Sequence, residues 1–240
     1  MQIPISINKC PVAESILEIR YSSDLPSDAI FGVVYAKIKN IFTNSPTTLP
    51  IMQVPETVRT QDQNLKYQPH YSFQKNNFNF NIGPKSLIFT CKQPYSGWNK
   101  WSVFIYSILD EIMALSLISK IERIGLRYIN VFNSNIFDVM DVNLTLSNKS
   151  ICNDPTHIRT QIQDGEIAKI IQVGNGAKIN VNGQDVIGSV VDIDCVFDNS
   201  VKTILTGQYK NLIEMAHQKE REQFFSLLQD DFIKSLEPTF

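Results

Sequence analysis

The sequence is poor in the residues from which the common catalytic and metal-binding motifs are built. It has three histidines, four cysteines and ten glycines in 240 residues. Cys10, Cys91, Cys152 and Cys195 are scattered with no CxxC pair. That excludes a zinc ribbon and a dense disulfide framework, and reads as free thiols in a reducing compartment. No glycine-rich run ends in Gly-Lys-Ser or Gly-Lys-Thr, so there is no P-loop. Gly174-Asn175-Gly176 lacks the third glycine of a dinucleotide fingerprint and reads as a hairpin turn. GxSxG and HExxH are absent, and neither a cofactor nor a metal is expected. No apolar run approaches the roughly 18 residues of a membrane span. MQIPISINKC has no cationic start leading into an apolar stretch, so a cytoplasmic location is expected. Neither sign of charge prevails. Lys plus Arg number 22 and Asp plus Glu 24, so the basic footprint of a nucleic-acid binder is not displayed.

What is present is periodicity. Leu17, Ile19 and Tyr21 alternate with Glu18 and Arg20, which predicts a strand over 13–22 with one polar face. Ile30, Val34, Ile38 and Ile41 recur at helical spacing within 27–43. Residues 47–65 carry prolines and no period, and read as an irregular excursion with one short strand near Ile51–Val54. Excursions of this length are often functional. A ladder follows, with Tyr67, Tyr71 and Phe73 on one strand, Phe78, Phe80 and Ile82 on the next, and Leu87, Phe89 and Cys91 on a third. A helix over 97–119 buries Trp101, Phe104 or Ile105, Ile108, Ile112 and Leu115, and a strand over 121–132 comes next.

In the second half, strands are predicted near 139–147, 157–163, 167–173, 178–182 and 186–197, with a further turn at Asn182-Gly183. A helix over 201–223 and a final helical segment close the chain. Helices thus follow groups of strands. The expected class is α+β, an antiparallel sheet packed by helices on one side. Ile16–Tyr21 and Ile124–Ile129 are alike, so the chain is read either as two similar halves, 1–135 and 136–240, or as one continuous domain.

Few residues invite a chemical reading. Arg20 and Arg127 occupy matching places in the two similar strands, each followed by tyrosine. If those strands are neighbours, two guanidinium forks could grip a phosphate or carboxylate. The competing reading pairs them with Glu14 and Glu18. His217 shares a helical face with Glu220 and is the one candidate general base, or else a surface hydrogen bond. His70 and His157 read as exposed strand residues. Asp192 and Asp194, with Asp185 nearby, are either a paired-carboxylate site or a solvated strand face. Tyr95, Trp98 and Trp101 cluster at the start of the second helix. Trp98 falls off the buried stripe and suits an interface. The phenylalanines at 224, 225, 232 and 240 cannot share one helix face, which together with the prevalence of two-fold oligomers favours a homodimer.

Three segments carry a likeness. Pro11-Val12-Ala13-Glu14 leads into Leu17-Glu18-Ile19-Arg20-Tyr21; then comes Gly125-Leu126-Arg127-Tyr128-Ile129-Asn130; last is a run with His217, Phe224 or Phe225, and Leu228–Asp231. In order and spacing they resemble a sporadically distributed, uncharacterised bacterial family that is known by number and has no assigned activity. The resemblance spans nearly the whole chain. It implies no cofactor or catalytic residue. A patchy distribution implies carriage in accessory loci of the phage-defence or toxin–antitoxin kind. The expected function is therefore a non-enzymatic protein-interaction module of such a locus, acting with a protein partner or as a homodimer, with no membrane and no nucleic acid. The alternative is an anion-binding sensor or hydrolase that uses Arg20 and Arg127.

Overall fold

A computed structural model describes residues 2–181, 184–198, 204 and 206–240. β1 (Ser6–Ile7) precedes β2 (Val12–Ser22), where Leu17, Ile19 and Tyr21 are fully buried and Glu18 and Arg20 are not. α1 (Ser27–Ile38) buries Ile30, Val34 and Ile38, and a 3-10 turn at Lys39–Ile41 replaces the last helical turn expected up to 43. After β3 (Thr47–Thr48) the excursion folds as a 3-10 helix, Pro50–Gln53, and α2 (Glu56–Gln61). The strand expected near Ile51–Val54 is therefore corrected. Pro50 presets the first helical φ. The carbonyls of Leu49 and Ile51 accept the amides of Met52 and Val54, both at 3.0 Å, so these groups serve local turns.

Tyr67 also lies outside its expected strand. The amides of Leu65 and Lys66 both turn back to the Asp62 carbonyl, and Pro69 has no amide to give a ladder. The strand begins at β4 (Tyr71–Lys75), and β5 (Phe78–Gly83) and β6 (Ser86–Lys92) follow as predicted. α3 (Trp98–Ala114) buries Trp101, Phe104, Ile105, Ile108 and Ile112. It stops short of Ser119 because Ser116 takes φ 52°, and the chain turns inward with Leu117 and Ile118 buried. β7 (Lys120–Phe132) comes next.

A 3-10 turn, Ile136–Val139, and the small hairpin β8 (Thr145–Leu146) and β9 (Lys149–Ser150) stand where one strand over 139–147 was expected. The Asn135 side chain accepts the Phe137 amide at 3.3 Å and fixes that turn. β10 (His157–Asp164) and β11 (Ile167–Val181) flank the two-residue turn Gly165-Glu166, with Gly165 at φ 61°. β11 is one strand where two were expected, and Gly174-Asn175-Gly176 lies inside it. Gly176 has φ 67°, a region glycine enters without strain, so the strand continues through it. Asn175 anchors this stretch, accepting the Thr156 amide at 2.8 Å and donating to the Cys152 carbonyl at 2.9 Å. The turn expected at Asn182-Gly183 lies outside the described residues.

β12 (Gln184–Asp198) buries Ser189, Val191, Ile193, Cys195 and Phe197 on one face, as its alternation predicts. α4 (Tyr209–Ser226) starts later than the expected Val201. Ile204 makes an isolated bridge to Ile121 and Thr206–Gln208 is a 3-10 turn; residues 201–203 and Leu205 lie outside the described residues. α5 (Asp230–Ser235) and β13 (Pro238–Thr239) follow, and β13 pairs with β1.

The class is α+β. Nine strands form one antiparallel sheet in the order β10-β11-β12-β7-β2-β6-β5-β4-β3, with helices packed on it. No helix among the described residues is long and apolar enough to cross a membrane. The chain forms two compact units that interleave in sequence, where the sequence reading divides it once, near 135. One unit holds residues 1–15, 126–196 and 215–240; the other holds 16–125 and 197–214. The second unit is built on phenylalanine. Phe42, Phe73, Phe80 and Phe89 form a chain of ring contacts with centroids 4.8 to 5.7 Å apart, and Phe104 closes it edge-on. Such pairs contribute about 0.5–1.5 kcal/mol each beyond area burial. In the first unit, buried Ile171, Val173, Val191 and Ile193 form the sheet side of the core, with Ala216, Phe224 and Phe225 buried on the helix side.

Candidate functional site

The two arginines singled out by the sequence are each engaged by a carboxylate. Arg20 Nε donates to Glu18 Oε2 at 3.0 Å, and its guanidinium lies 4.4 Å from the Tyr67 ring centroid. Glu18 also accepts from Arg123. Arg127 makes a two-pronged pair with Asp192, at 2.7 Å and 2.5 Å, and Gln172 donates to the same carboxylate at 3.0 Å. Asp192 is buried, so this pair locks β7 to its neighbour. The carboxylate beside Arg20 is the one the competing reading named.

His217 is placed by α4 against β7, with Nδ1 3.3 Å from the Tyr128 hydroxyl. Burial, with the Arg221 charge nearby, pushes its imidazole down to about 3. At neutral pH the ring is uncharged and a weak base. Glu220, one turn on, is buried, and desolvation pushes its carboxyl up to about 8. Trp98 Nε1 donates to Glu214 at 3.0 Å, so its indole has a partner within its own unit. Among the described residues, no group of three or more His, Cys, Asp and Glu side chains gathers at metal-binding distance.

A cavity of about 320 Å³ opens in the second unit, walled by α1, the 50–66 excursion, and the β4 and β5 ends. Among its cationic residues is Arg59, on the last turn of α2, a residue the sequence reading passed over. Arg59 Nη1 lies 3.0 Å from His70 Nε2 and 2.9 Å from Met52 Sδ. Its Nε is buried without a hydrogen-bond partner. No carboxylate among the described residues pairs with it, although Glu56 stands three positions earlier on the same helix. Arginine has no acceptor, so the His70 nitrogen accepts and the ring is neutral. Burial lowers the His70 pKa to about 4, the Arg59 charge adds to this, and Asp28 opposes it.

His70 was expected as an exposed strand residue. It is half-buried, and its backbone is clamped. Its amide donates to Ile82 O and its carbonyl accepts from the Leu49 amide, both at 2.8 Å. Gly83 allows this close approach, since a Cβ there would lie 2.7 Å from the Gln68 carbonyl. Part of the lining is aromatic. Phe31 of α1 stacks on Tyr71 with centroids 3.7 Å apart and planes 20° from parallel, and both line the cavity. Lys66 and Lys85 add positive charge, Asp28 and Glu56 negative. A guanidinium with free donor capacity beside a neutral imidazole and a flat apolar wall suits a carboxylate or phosphate borne on a planar or apolar body. The signal available in sequence was the length and proline content of the excursion that carries Met52, Glu56 and Arg59. Periodicity could not show it, because the residues come from five short segments.

No family model and no curated protein matches the chain.

Proposed function

We propose that this protein is an anion-binding sensory module, which holds a small carboxylate or phosphate in the cavity formed by α1, α2, the start of β4 and the end of β5. The observation that carries the reading is Arg59, a partly buried guanidinium with an orphaned Nε, no carboxylate partner and a cavity in front of it. Leaving buried donors of a charged group unused costs more than the 1–3 kcal/mol of a neutral one, and an anionic ligand recovers that cost. No residue of the cavity is arranged as a nucleophile with its base, which favours binding over turnover. As a sensor it works through a second protein or a second copy of itself, the role an interaction module of a defence-type locus would fill.

The test is thermal unfolding and calorimetric titration of the full chain against inorganic phosphate, small mono- and dicarboxylates and nucleoside monophosphates. A ligand at a hundred times its Kd adds about 2.7 kcal/mol. For a chain of this size that raises Tm by roughly 5–10 °C. The expected result is such a shift from at least one anion, with affinity reduced tenfold or more in Arg59→Gln. A panel that acts no better than sodium chloride, or an Arg59→Gln protein that binds as well as wild type, overturns the reading.

A further inference from the structure

The strand β10 ends the sheet order, so one of its edges has no strand partner among the described residues. Six of its eight residues are exposed. Natural proteins guard such edges with lysine, proline, bulges or a covering loop, because free N–H and C=O groups recruit another strand. Between His157 and Asp164 there is no proline and no lysine, and the ladder to β11 is unbroken from His157↔Gly174 to Asp164↔Ile167.

The register tells which backbone groups are free. The hairpin turn has two residues, so Asp164↔Ile167 is a hydrogen-bonded pair, and bonded and non-bonded pairs alternate from there. Residues 158, 160, 162 and 164 therefore spend their amides and carbonyls on β11. Residues 157, 159, 161 and 163 turn theirs to the open edge. Side chains alternate in the same way. Ile158, Thr160 and Ile162 share the face of Ile171 and Val173, their ladder neighbours' core side. Ile162 is on that face and still 42% exposed.

We infer that the open edge of β10 is a self-association surface, on which a second copy of this chain adds its own β10 in antiparallel register about a two-fold axis at Thr160. The segment Ile158-Arg159-Thr160-Gln161-Ile162 is apolar-symmetric about Thr160, as an isologous contact requires. Only odd-numbered residues present free groups, so any antiparallel self-pairing must match odd with odd. With the axis at Thr160, Arg159 meets Gln161 of the copy and His157 meets Gln163, as hydrogen-bonded pairs with no like charges opposed. Ile158 meets Ile162 and Thr160 meets Thr160 at the closer, non-hydrogen-bonded positions, both favourable cross-strand pairs. Moving the axis to Gln161 would set Ile158 against Asp164. The self-complementary pattern selects the copy over an unrelated strand, and one register over the others.

The test is the solution mass of the full chain, by light scattering and sedimentation, for wild type, Gln161→Pro and Thr160→Cys. Gln161 directs its amide away from β11, so proline there removes an edge donor and leaves the β10–β11 bonds in place. Wild type is expected at twice the chain mass and Gln161→Pro at the chain mass, with unchanged circular dichroism and unfolding. In Thr160→Cys, the two thiols face each other across the axis at about 4.5 Å between Cα atoms, within disulfide range. Mild oxidation should convert it to a covalent dimer that wild type does not form. A wild type that stays monomeric up to about 100 µM, a dimer that survives Gln161→Pro, or the absence of a Thr160→Cys crosslink overturns the inference. None of these outcomes bears on Arg59.

Discussion

Three arginines of this chain differ in what they face, and the difference decides their roles. Arg20 holds a carboxylate of its own strand, Arg127 fastens β7 to β12 through Asp192, and Arg59 holds a neutral ring and a thioether. The first two were conspicuous in sequence because they sit in strands of similar wording. Arg59 was not, because its partner His70 is eleven residues away beyond an aperiodic turn. Partnership is a property of three-dimensional neighbours, and alternation reports only which face a side chain takes. Glu220 gives a prediction at this scale. Its carboxyl is raised from 4.5 to about 8 by burial, and Arg221 only partly offsets this. Below pH 4.5 it is protonated in both folded and unfolded chains and contributes nothing differential. As pH rises from 4.5 to 8, the unfolded chain ionises while the folded chain holds its proton, so stability falls, and above 8 the loss is complete. Glu220→Gln removes that dependence. The stability of Glu220→Gln minus that of wild type should grow between pH 5 and pH 8, by on the order of 2–4 kcal/mol. Urea unfolding at the two pH values measures it, and a difference that stays flat would place the titration elsewhere.

Between residues and the whole lie the strands and helices, and there the sequence was most legible. β2, β5, β6 and α3 follow from period two and period 3.6 because each buries one face, and burial writes its period into the residue types. The failures share a cause. The Ile51–Val54 strand, the Tyr67 position and the Gly174–Gly176 turn were read from residue types that suit several backbones. The outcome was set by local acceptors: Asp62 O, the Leu49 carbonyl and the Asn175 side chain. Gly83 is a further case, a glycine whose reason is the approach of another segment. Gly83→Ala sets a methyl 2.7 Å from Gln68 O, 3.0 Å from Ser86 Oγ and 3.1 Å from Pro69 Cα. Overpacking of this kind costs about 1–3 kcal/mol. It should lower Tm by several degrees and, by displacing the segment that carries His70, weaken anion binding in the same preparation. Calorimetry reads both. An alanine variant with wild-type Tm and affinity would show that the 68–70 segment yields freely.

At the scale of the molecule, the division into units does not follow the order of the chain. β2, β7, β12 and α4 each contribute residues to both units. A cut at residue 135 would leave the unit around the Arg59 cavity without 197–214, and the other without most of its sheet and its helices. The fragment 1–135 should therefore show neither cooperative thermal unfolding nor dispersed amide resonances. A sharp transition in that fragment would mean that its own strands suffice. The interleaving also governs birth on the ribosome. The unit that holds 16–125 is completed by residues 197–214, and the other by 215–240, so both wait for later segments. Strands β2 to β6 pair among themselves as they emerge, but both units keep apolar surface uncovered until these later segments follow, for the seconds that synthesis takes. This protein should thus depend on chaperones while nascent and gain its stability only once residues 197–240 have emerged.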